Sequence, residues 1–348
     1  MSKILGLNAF HADASACLFV DGKLKAAAEE ERFLRIKHWA GFPKQSINYC
    51  LAQEKLSFEE IDVIAVNTNP KANLFQKVSF SLANLKSYEF LYNRYLSRKS
   101  KLDIPNSIDE AFGEGSFLGK IKYVEHHKAH LLSAHTASPF HASVSLSVDA
   151  LGDFVSTSWG VGEGTDVSMD GKIYFPHSLG VFYEAMTHYL GFKHFGDEYK
   201  VMGLAPYGKP KHVDKIRKLI IPNDNGTFKL NLEYFSHQSG SGMHSWEDGV
   251  PSSGDCYHPI AMQELLGPER QKDEKLTQYH MDIAHSIQCV YEETFFRLAN
   301  ELYERYKIDR LTLSGGCGNN SVANGKIYRK TPFKKAYMAA ASGDAGGA

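Results

Sequence analysis

The feature that most limits the fold is a strand–loop–strand unit that occurs twice, about 140 residues apart. In the first copy, Lys3–Leu7 is a short apolar run and Asn8–Asp13 is a polar loop. Ser15–Val20 is a second apolar run, and the Asp21-Gly22 turn sends Lys23–Ala28 back as a third strand. In the second copy, Val144–Val148 leads into Asp149-Ala150-Leu151-Gly152-Asp153 and returns through Phe154–Val161. A polar loop held between paired strands can fold over a phosphate. Two copies imply two lobes with a cleft between them, where loops from both lobes converge on a ligand.

The remaining pattern fits this division. Pro43 opens a helix through Ala52, Ile61–Val66 and Ile121–Val124 read as strands, and a helix runs from about His127 to Ala137. Residues 70–118 are helical in part. Leu311–Leu313 is a strand running into the glycine-rich turn Ser314–Asn320 and then a helix. The expected lobes are 1–142 and 143–348. The second carries an irregular insertion at about 209–260, whose 222–258 stretch is rich in Gly, Ser, Asn and His.

A formal charge of −1 argues against a chain whose main task is gripping nucleic acid, because phosphate neutralisation needs basic surface. The run holding Arg94, Arg98, Lys99 and Lys101 reads as a solvated helix face. The five cysteines are odd in number and include no CxxC pair, as expected for buried free thiols in a reducing compartment. The N-terminus carries no charged-then-apolar signal, and no apolar run reaches the ~20 residues needed to span a bilayer. A cytoplasmic location is expected, with no membrane partner.

Three sequence clusters carry chemistry. His126 and His130 are four apart, which on a helix places both imidazoles on one face, close enough to share a metal. A histidine-rich helix start without metal satisfies the same spacing. Two carboxylate loops, Asp149–Asp153 and Ser342–Gly347, combine glycine with aspartate. In such loops backbone N–H groups face phosphate oxygens while the carboxylate holds a cation or water; ordinary Gly/Asp turns look alike. Gly315 and Gly316 precede Asn320 and Asn324, whose amides suit ribose hydroxyls or an adenine edge, or simply cap a helix. The chain lacks GxxxxGK[ST], GxSxG and HExxH.

Taken in order, these segments resemble the carbamoyltransferases of the nodulation and antibiotic-biosynthesis type. The likeness includes Leu5-Gly6-Leu7-Asn8, His11–Ser15, Glu29–Phe33, His126–His135 and Val148–Asp153. It continues through Tyr199-Lys200-Val201-Met202-Gly203-Leu204-Ala205-Pro206-Tyr207-Gly208, Leu266-Gly267-Pro268, Gly315–Asn324 and Ser342–Gly346. Their transferase domain is similar to the universal tRNA threonylcarbamoyl-transfer protein. The implied fold is α/β, the actin-like, sugar-kinase-like (ASKHA) bilobed fold of two RNase H-like lobes.

The resemblance implies an ATP-dependent O-carbamoyltransferase. A separate activating domain, absent from this chain and supplied in cis or in trans, makes carbamoyl-AMP from carbamoyl phosphate and ATP. The transferase domain then moves the carbamoyl group to a hydroxyl of a sugar or secondary metabolite. Carried over by position, His126, His130 and Asp344 are the metal ligands for iron or zinc. Asp149 and His11 are catalytic, with Asp149 preferred as base. Gly315, Gly316, Asn320 and Asn324, with Gly152 and Lys200, belong to the nucleotide side. The family's VDG turn reads Val148-Asp149-Ala150 here, which places a Cβ where the backbone approaches phosphate. Tyr234, Phe235, His237, His244 and Trp246 either shape an acceptor pocket or lie on a surface loop. A homodimer is admitted. The rival readings are an actin-like-fold kinase, a tRNA-modifying subunit and a nucleotide-binding module without carbamoyl transfer.

Overall fold

The computed structural model describes residues 1–83, 103–239, 245–252 and 254–348. The basic run Arg94–Lys101 and His244 lie outside the described residues.

The first sheet contains β1 (Lys3–Asn8), β2 (Ser15–Val20), β3 (Lys23–Glu29), β4 (Val63–Val66) and β5 (Lys120–Tyr123), in the order β3-β2-β1-β4-β5. The second contains β6 (Ala142–Gly152), β7 (Val155–Glu163) and β8 (Asp166–Tyr174), with two strands from much later in the chain. Between them come two short hairpins, β9 (Ile220–Pro222) with β10 (Phe228–Leu230), and β11 (Ser245–Glu247) with β12 (Val250–Ser252). β13 (Arg310–Ser314) and β14 (Lys335–Met338) then complete the order β14-β13-β6-β7-β8. Each sheet is thus a three-strand antiparallel meander whose first strand is extended by two parallel strands. The same order built twice is the actin-like, two-lobed α/β fold.

The alternation of β6 explains its placement. Val144, Leu146 and Val148 are fully buried in the large apolar core of the second lobe. The alternate Ser143, Ser145 and Ser147 are also buried, facing a polar layer. That layer is the helix His126–Ala137: His127 Nδ1 lies 3.1 Å from Ser147 Oγ, and His135 Nδ1 lies 2.8 Å from Ser143 Oγ. Small hydroxyls let the histidine-bearing helix approach the sheet closely while satisfying its imidazoles. Burial holds His127 down to about 3, with the charge of His126 acting in the same direction, so it packs as a neutral ring.

The apolar side of β6 packs beneath two further helices, Leu179–Tyr189 and Gln278–Tyr306. The second is 29 residues long and inserts Ile283, Ile287, Val290, Tyr291, Phe295, Leu298 and Leu302 into the core. Recurrence at three- and four-residue steps puts these on one stripe, and each fully buried side chain contributes about 1.5–3 kcal/mol.

The stretch 222–258 is better integrated than its polar composition implies. Phe228, Leu230, Phe235 and Tyr257 are core residues, and Phe235 pairs with Tyr257 in a β-bridge. A few apolar residues at strand spacing anchor a segment whose remaining residues are polar. All five cysteines are free. No helix among the described residues is long and apolar enough to cross a membrane.

Candidate active site

The helix His126–Ala137 follows β5 of the first sheet and packs against β6 of the second. Its first turn is fixed by a carboxylate. Asp153 Oδ2 accepts from the backbone N–H of His126 at 2.9 Å and of Asn69 at 2.8 Å, and Oδ1 accepts from Thr68 Oγ1 at 3.0 Å. Negative charge at a helix N-terminus is favourable, and here it also ties a first-lobe loop to a second-lobe hairpin. Sequence reading placed Asp153 in a ligand-handling loop. Only its neighbourhood to the helix start, set by tertiary packing, shows what it holds.

From that helix His126 and His130 direct their Nε2 atoms to one point, 3.0 Å apart. Asp149, in the last part of β6, brings Oδ2 to 3.2 Å from His126 Nε2 and 3.5 Å from His130 Nε2. Asp344, on the turn after β14, brings Oδ1 to 3.3 and 3.5 Å from the same two nitrogens. Four donors at ~2.1 Å from a tetrahedral ion lie roughly 3.4 Å from one another, so the four atoms are spaced as a metal would space them. Asp344 Oδ1 is buried and makes no hydrogen bond. Two imidazoles and two carboxylates suit iron or zinc.

The charges are tightly coupled. Burial would lower His126, but hydrogen bonds and charge from Asp149 and Asp344 raise it to about 10. Burial would raise Asp344, but the charge of His11 and polar contacts with three imidazoles hold it well below the usual carboxylate range. Asp149 is likewise depressed: its burial and the Asp344 charge are outweighed by His126 and His130.

Backbone geometry supports this cluster at several glycines. A Cβ on Gly152 would fall 2.0 Å from His126 Cδ2, so this position admits the imidazole rather than a side chain of its own. Gly315 has φ +84°, and its absent Cβ leaves room for the Val148 carbonyl. The next amide, Gly316 N–H, donates to Asp149 Oδ1 at 2.9 Å. The Asp149-Ala150 turn is held by Ser178 Oγ, which reaches both carbonyls at 3.0 and 2.7 Å.

His11 stands at the more open side of the cluster. Its Nδ1 is 2.6 Å from Asp344 Oδ2, its ring centroid is 5.1 Å from that of His126, and Trp246 of the β11–β12 hairpin lies 6.4 Å away. Of the described aromatic residues considered for an acceptor pocket, Trp246 is therefore the one set beside the centre. Phe235 is core, Tyr234 packs against that core, and His237 is buried against the Pro176 carbonyl.

The nucleotide-side residues are distributed differently. Asn320 caps its helix through Ala323 N–H and exchanges two hydrogen bonds with Gln288, at 3.0 and 3.1 Å. Its amide is turned inward. Asn324 donates to the Gly318 carbonyl, with its Oδ1 buried and free of hydrogen bonds. Lys200 pairs with Asp197 at 2.7 Å and extends over the Phe192 ring.

Two lobes of repeated topology, closed on a two-histidine, two-carboxylate cluster, define an actin-like-fold protein with a candidate metal centre at the cleft. Residues 3–348 match the family described as Carbamoyltransferase N-terminus, and the chain belongs to that family. It is 39% identical to the Synechocystis sp. protein sll1178, covering 100% of this chain and 56% of that one. It is 33% identical to the nodulation protein NolNO of Sinorhizobium fredii, covering 97% of this chain and 45% of that one. The chain thus spans about half the length of these relatives. Among solved structures, component A of (R)-2-hydroxyglutaryl-CoA dehydratase from Acidaminococcus fermentans aligns over 100% of this chain and 95% of its own, at 12% identity and a TM-score of 0.47.

Proposed function

We propose that this chain carries the transfer site of an ATP-dependent O-carbamoyltransferase, moving the carbamoyl group of carbamoyl-AMP to a hydroxyl of a sugar or secondary metabolite. The observation that carries the reading is the convergence of His126, His130, Asp149 and Asp344 in a chain of the carbamoyltransferase family. His126, His130 and Asp344 would hold iron or zinc, with Asp149 as fourth donor. A metal held there supplies Lewis-acid stabilisation of negative charge developing on the carbamoyl or phosphate oxygens.

Both Asp149 oxygens are engaged, one by Gly316 N–H and one by the histidine pair, which leaves it poorly placed to receive a proton. His11 is better disposed. Its Nδ1 stands 2.6 Å from Asp344 Oδ2; with the proton on that nitrogen, Nε2 would keep a lone pair and the carboxylate would stabilise the imidazolium that forms. In the proposed step the acceptor oxygen attacks the carbamoyl carbon and a C–O bond forms. The bond from that carbon to the AMP phosphate oxygen breaks, AMP leaves with the electron pair, and the acceptor proton passes to His11 Nε2. Gly315 and Gly316, with the side-chain Oδ1 of Asn324, which makes no hydrogen bond, would form the nucleotide side of the cleft. The inward-turned Asn320 and the Asp197-paired Lys200 would shape that side by positioning. The activating step belongs to a further domain, in cis or in trans.

The test is AMP release from synthetic carbamoyl-AMP by the iron- or zinc-loaded protein with a panel of hydroxylated sugars. Metal-dependent release coupled to a carbamoylated sugar is expected. Carbamoyl-AMP that binds and is turned over equally well by the metal-free protein would overturn the reading.

A further inference from the structure

A second cluster of metal-ligating side chains lies in the same lobe and shares no residue with the first. Glu184 and His188 stand one turn apart on the buried face of the helix Leu179–Tyr189, and Cys256 meets them from the segment where the 222–258 stretch rejoins the core. All three are buried, with exposures of 5%, 1% and 2%. One donor atom from each lies within 4.8 Å of the others. His188 Nε2 is 4.0 Å from Glu184 Oε1, while Nδ1 on the opposite edge is 3.6 Å from Asp255 Oδ1. Asp255 is itself held by Lys193 at 2.5 Å.

We propose that Glu184, His188 and Cys256 form a second metal site that binds one zinc-class ion and fastens the end of the 222–258 stretch to the lobe core. A thiolate, an imidazole and a carboxylate are the donors this borderline-soft ion accepts, with water completing a tetrahedron. Tetrahedral donors at 2.0–2.3 Å stand roughly 3.3–3.8 Å apart, so from the 4.8 Å limit the cluster would contract by at most about 1.5 Å on binding. Asp255 occupies the place of the outer carboxylate that orients a metal-bound histidine: with Nε2 on the ion, Nδ1–H points to Asp255. Burial, reinforced by the Glu184 charge, keeps the Cys256 thiol protonated until an ion displaces that proton. The anchoring has a clear mechanical consequence. Cys256 O accepts from Ser236 N–H at 3.0 Å, and Tyr257 bridges Phe235, so the ion would secure the paired segments Phe235–Ser236 and Cys256–Tyr257 together.

Cobalt(II) added to the reduced, metal-free protein tests this directly, because the His126 cluster contains no sulfur. A thiolate-to-cobalt charge-transfer band in the near-ultraviolet is expected. It should persist in the His126→Ala/His130→Ala variant and vanish in Cys256→Ser. Zinc content measured by elemental analysis should fall by one equivalent per chain in Cys256→Ser relative to the parent. His188→Gln, which retains an amide for Asp255, should lose the same equivalent and guards against a folding defect specific to the serine variant. Absence of the band in the parent protein, or a band and zinc content unchanged in both Cys256→Ser and His188→Gln, would overturn the proposal. Neither outcome bears on the His126 centre, whose metal is read separately in the double variant.

Discussion

His11 and Asp344 share a 2.6 Å contact through Nδ1 and Oδ2, while the other oxygen of the same carboxylate faces His126 and His130. One aspartate thereby couples the open face of the centre to its ligand pair. His11→Asn keeps a donor close to the Nδ1 position and removes the basic Nε2. Metal content should stay at the parental level while carbamoyl transfer falls by about 10²–10⁴-fold, the usual contribution of a positioned general base. Elemental analysis alongside AMP release measures both, and parental turnover in this variant would remove His11 from proton transfer.

Gly152 makes a different demand. An alanine there would put Cβ 2.0 Å from His126 Cδ2 and 2.3 Å from Cγ, so the imidazole must leave its place. Gly152→Ala should lower stability by about 1–3 kcal/mol, the range for overpacking, and weaken metal retention at the same time. Thermal unfolding with and without added zinc reads both effects. Unchanged metal affinity would show that the ring has another position from which to bind.

Much of this centre was legible because helical spacing is local. His126 and His130 share a face wherever a helix forms, and aspartates at strand ends announce turns. The gathering of Asp149 and Asp344 at that face was not legible from spacing. It depends on the parallel register of β6 beside β13, which sets Ser147 against Ser314, and on β14 beside β13. Asn320 shows the same limit from the other side. Its position after a glycine turn reads as ligand-facing, but its partner Gln288 lies 32 residues earlier on the long helix and draws the amide inward. The Phe235–Tyr257 bridge was hidden by composition, since polar residues outnumber the few that reach the core.

The inward setting of Asn320 yields its own expectation. Asn320→Ala takes one partner from each end of the buried Gln288 amide, which keeps Tyr183 Oη and Glu292 Oε1, and removes the helix cap, so stability should fall by about 0.5–2 kcal/mol, the range for a lost cap. Nucleotide affinity, measured by calorimetry on the folded protein well below its unfolding temperature, should change little. A large loss of affinity with no loss of stability would instead make Asn320 a direct nucleotide contact.

The loop bearing His11 is braced by a titratable pair. His38 Nδ1 lies 2.7 Å from Asp13 Oδ1, and the His38 ring packs edge-on against Phe195 of the second lobe. The hydrogen bond to Asp13 raises His38, with partial burial opposing and the charges of Asp13, Glu31 and Glu198 assisting. A histidine raised on folding stabilises fully below its unfolded value near 6.5, and the contribution is lost as pH climbs through the raised folded value. Asp13→Asn should therefore lower the unfolding temperature more at pH 6 than at pH 9. An equal effect at both would show that the pair acts without charge.

Asp153 gives the most stringent test of how the lobes fix the metal pair. Its carboxylate, on the second-lobe hairpin, receives His126 N–H, Asn69 N–H and Thr68 Oγ1, three donors from the first lobe that no other acceptor replaces among the described contacts. Asp153→Ala leaves them unmet at a buried helix start, each costing about 1–3 kcal/mol where water cannot enter. Because the first residue of that helix is itself a ligand, its imidazole should lose direction together with the backbone. Outer groups that orient ligands are worth about 10–100-fold in metal affinity. Asp153→Asn separates the two effects: its amide oxygen still accepts, but its nitrogen opposes one of the donors and the helix-terminal charge is gone. The expected order of metal affinity, measured by competition with a chelator, is parent, then Asn, then Ala. Equal affinity in all three would mean that His126 is oriented by Gly152 and Asp149 alone, with the link between lobes contributing only to stability.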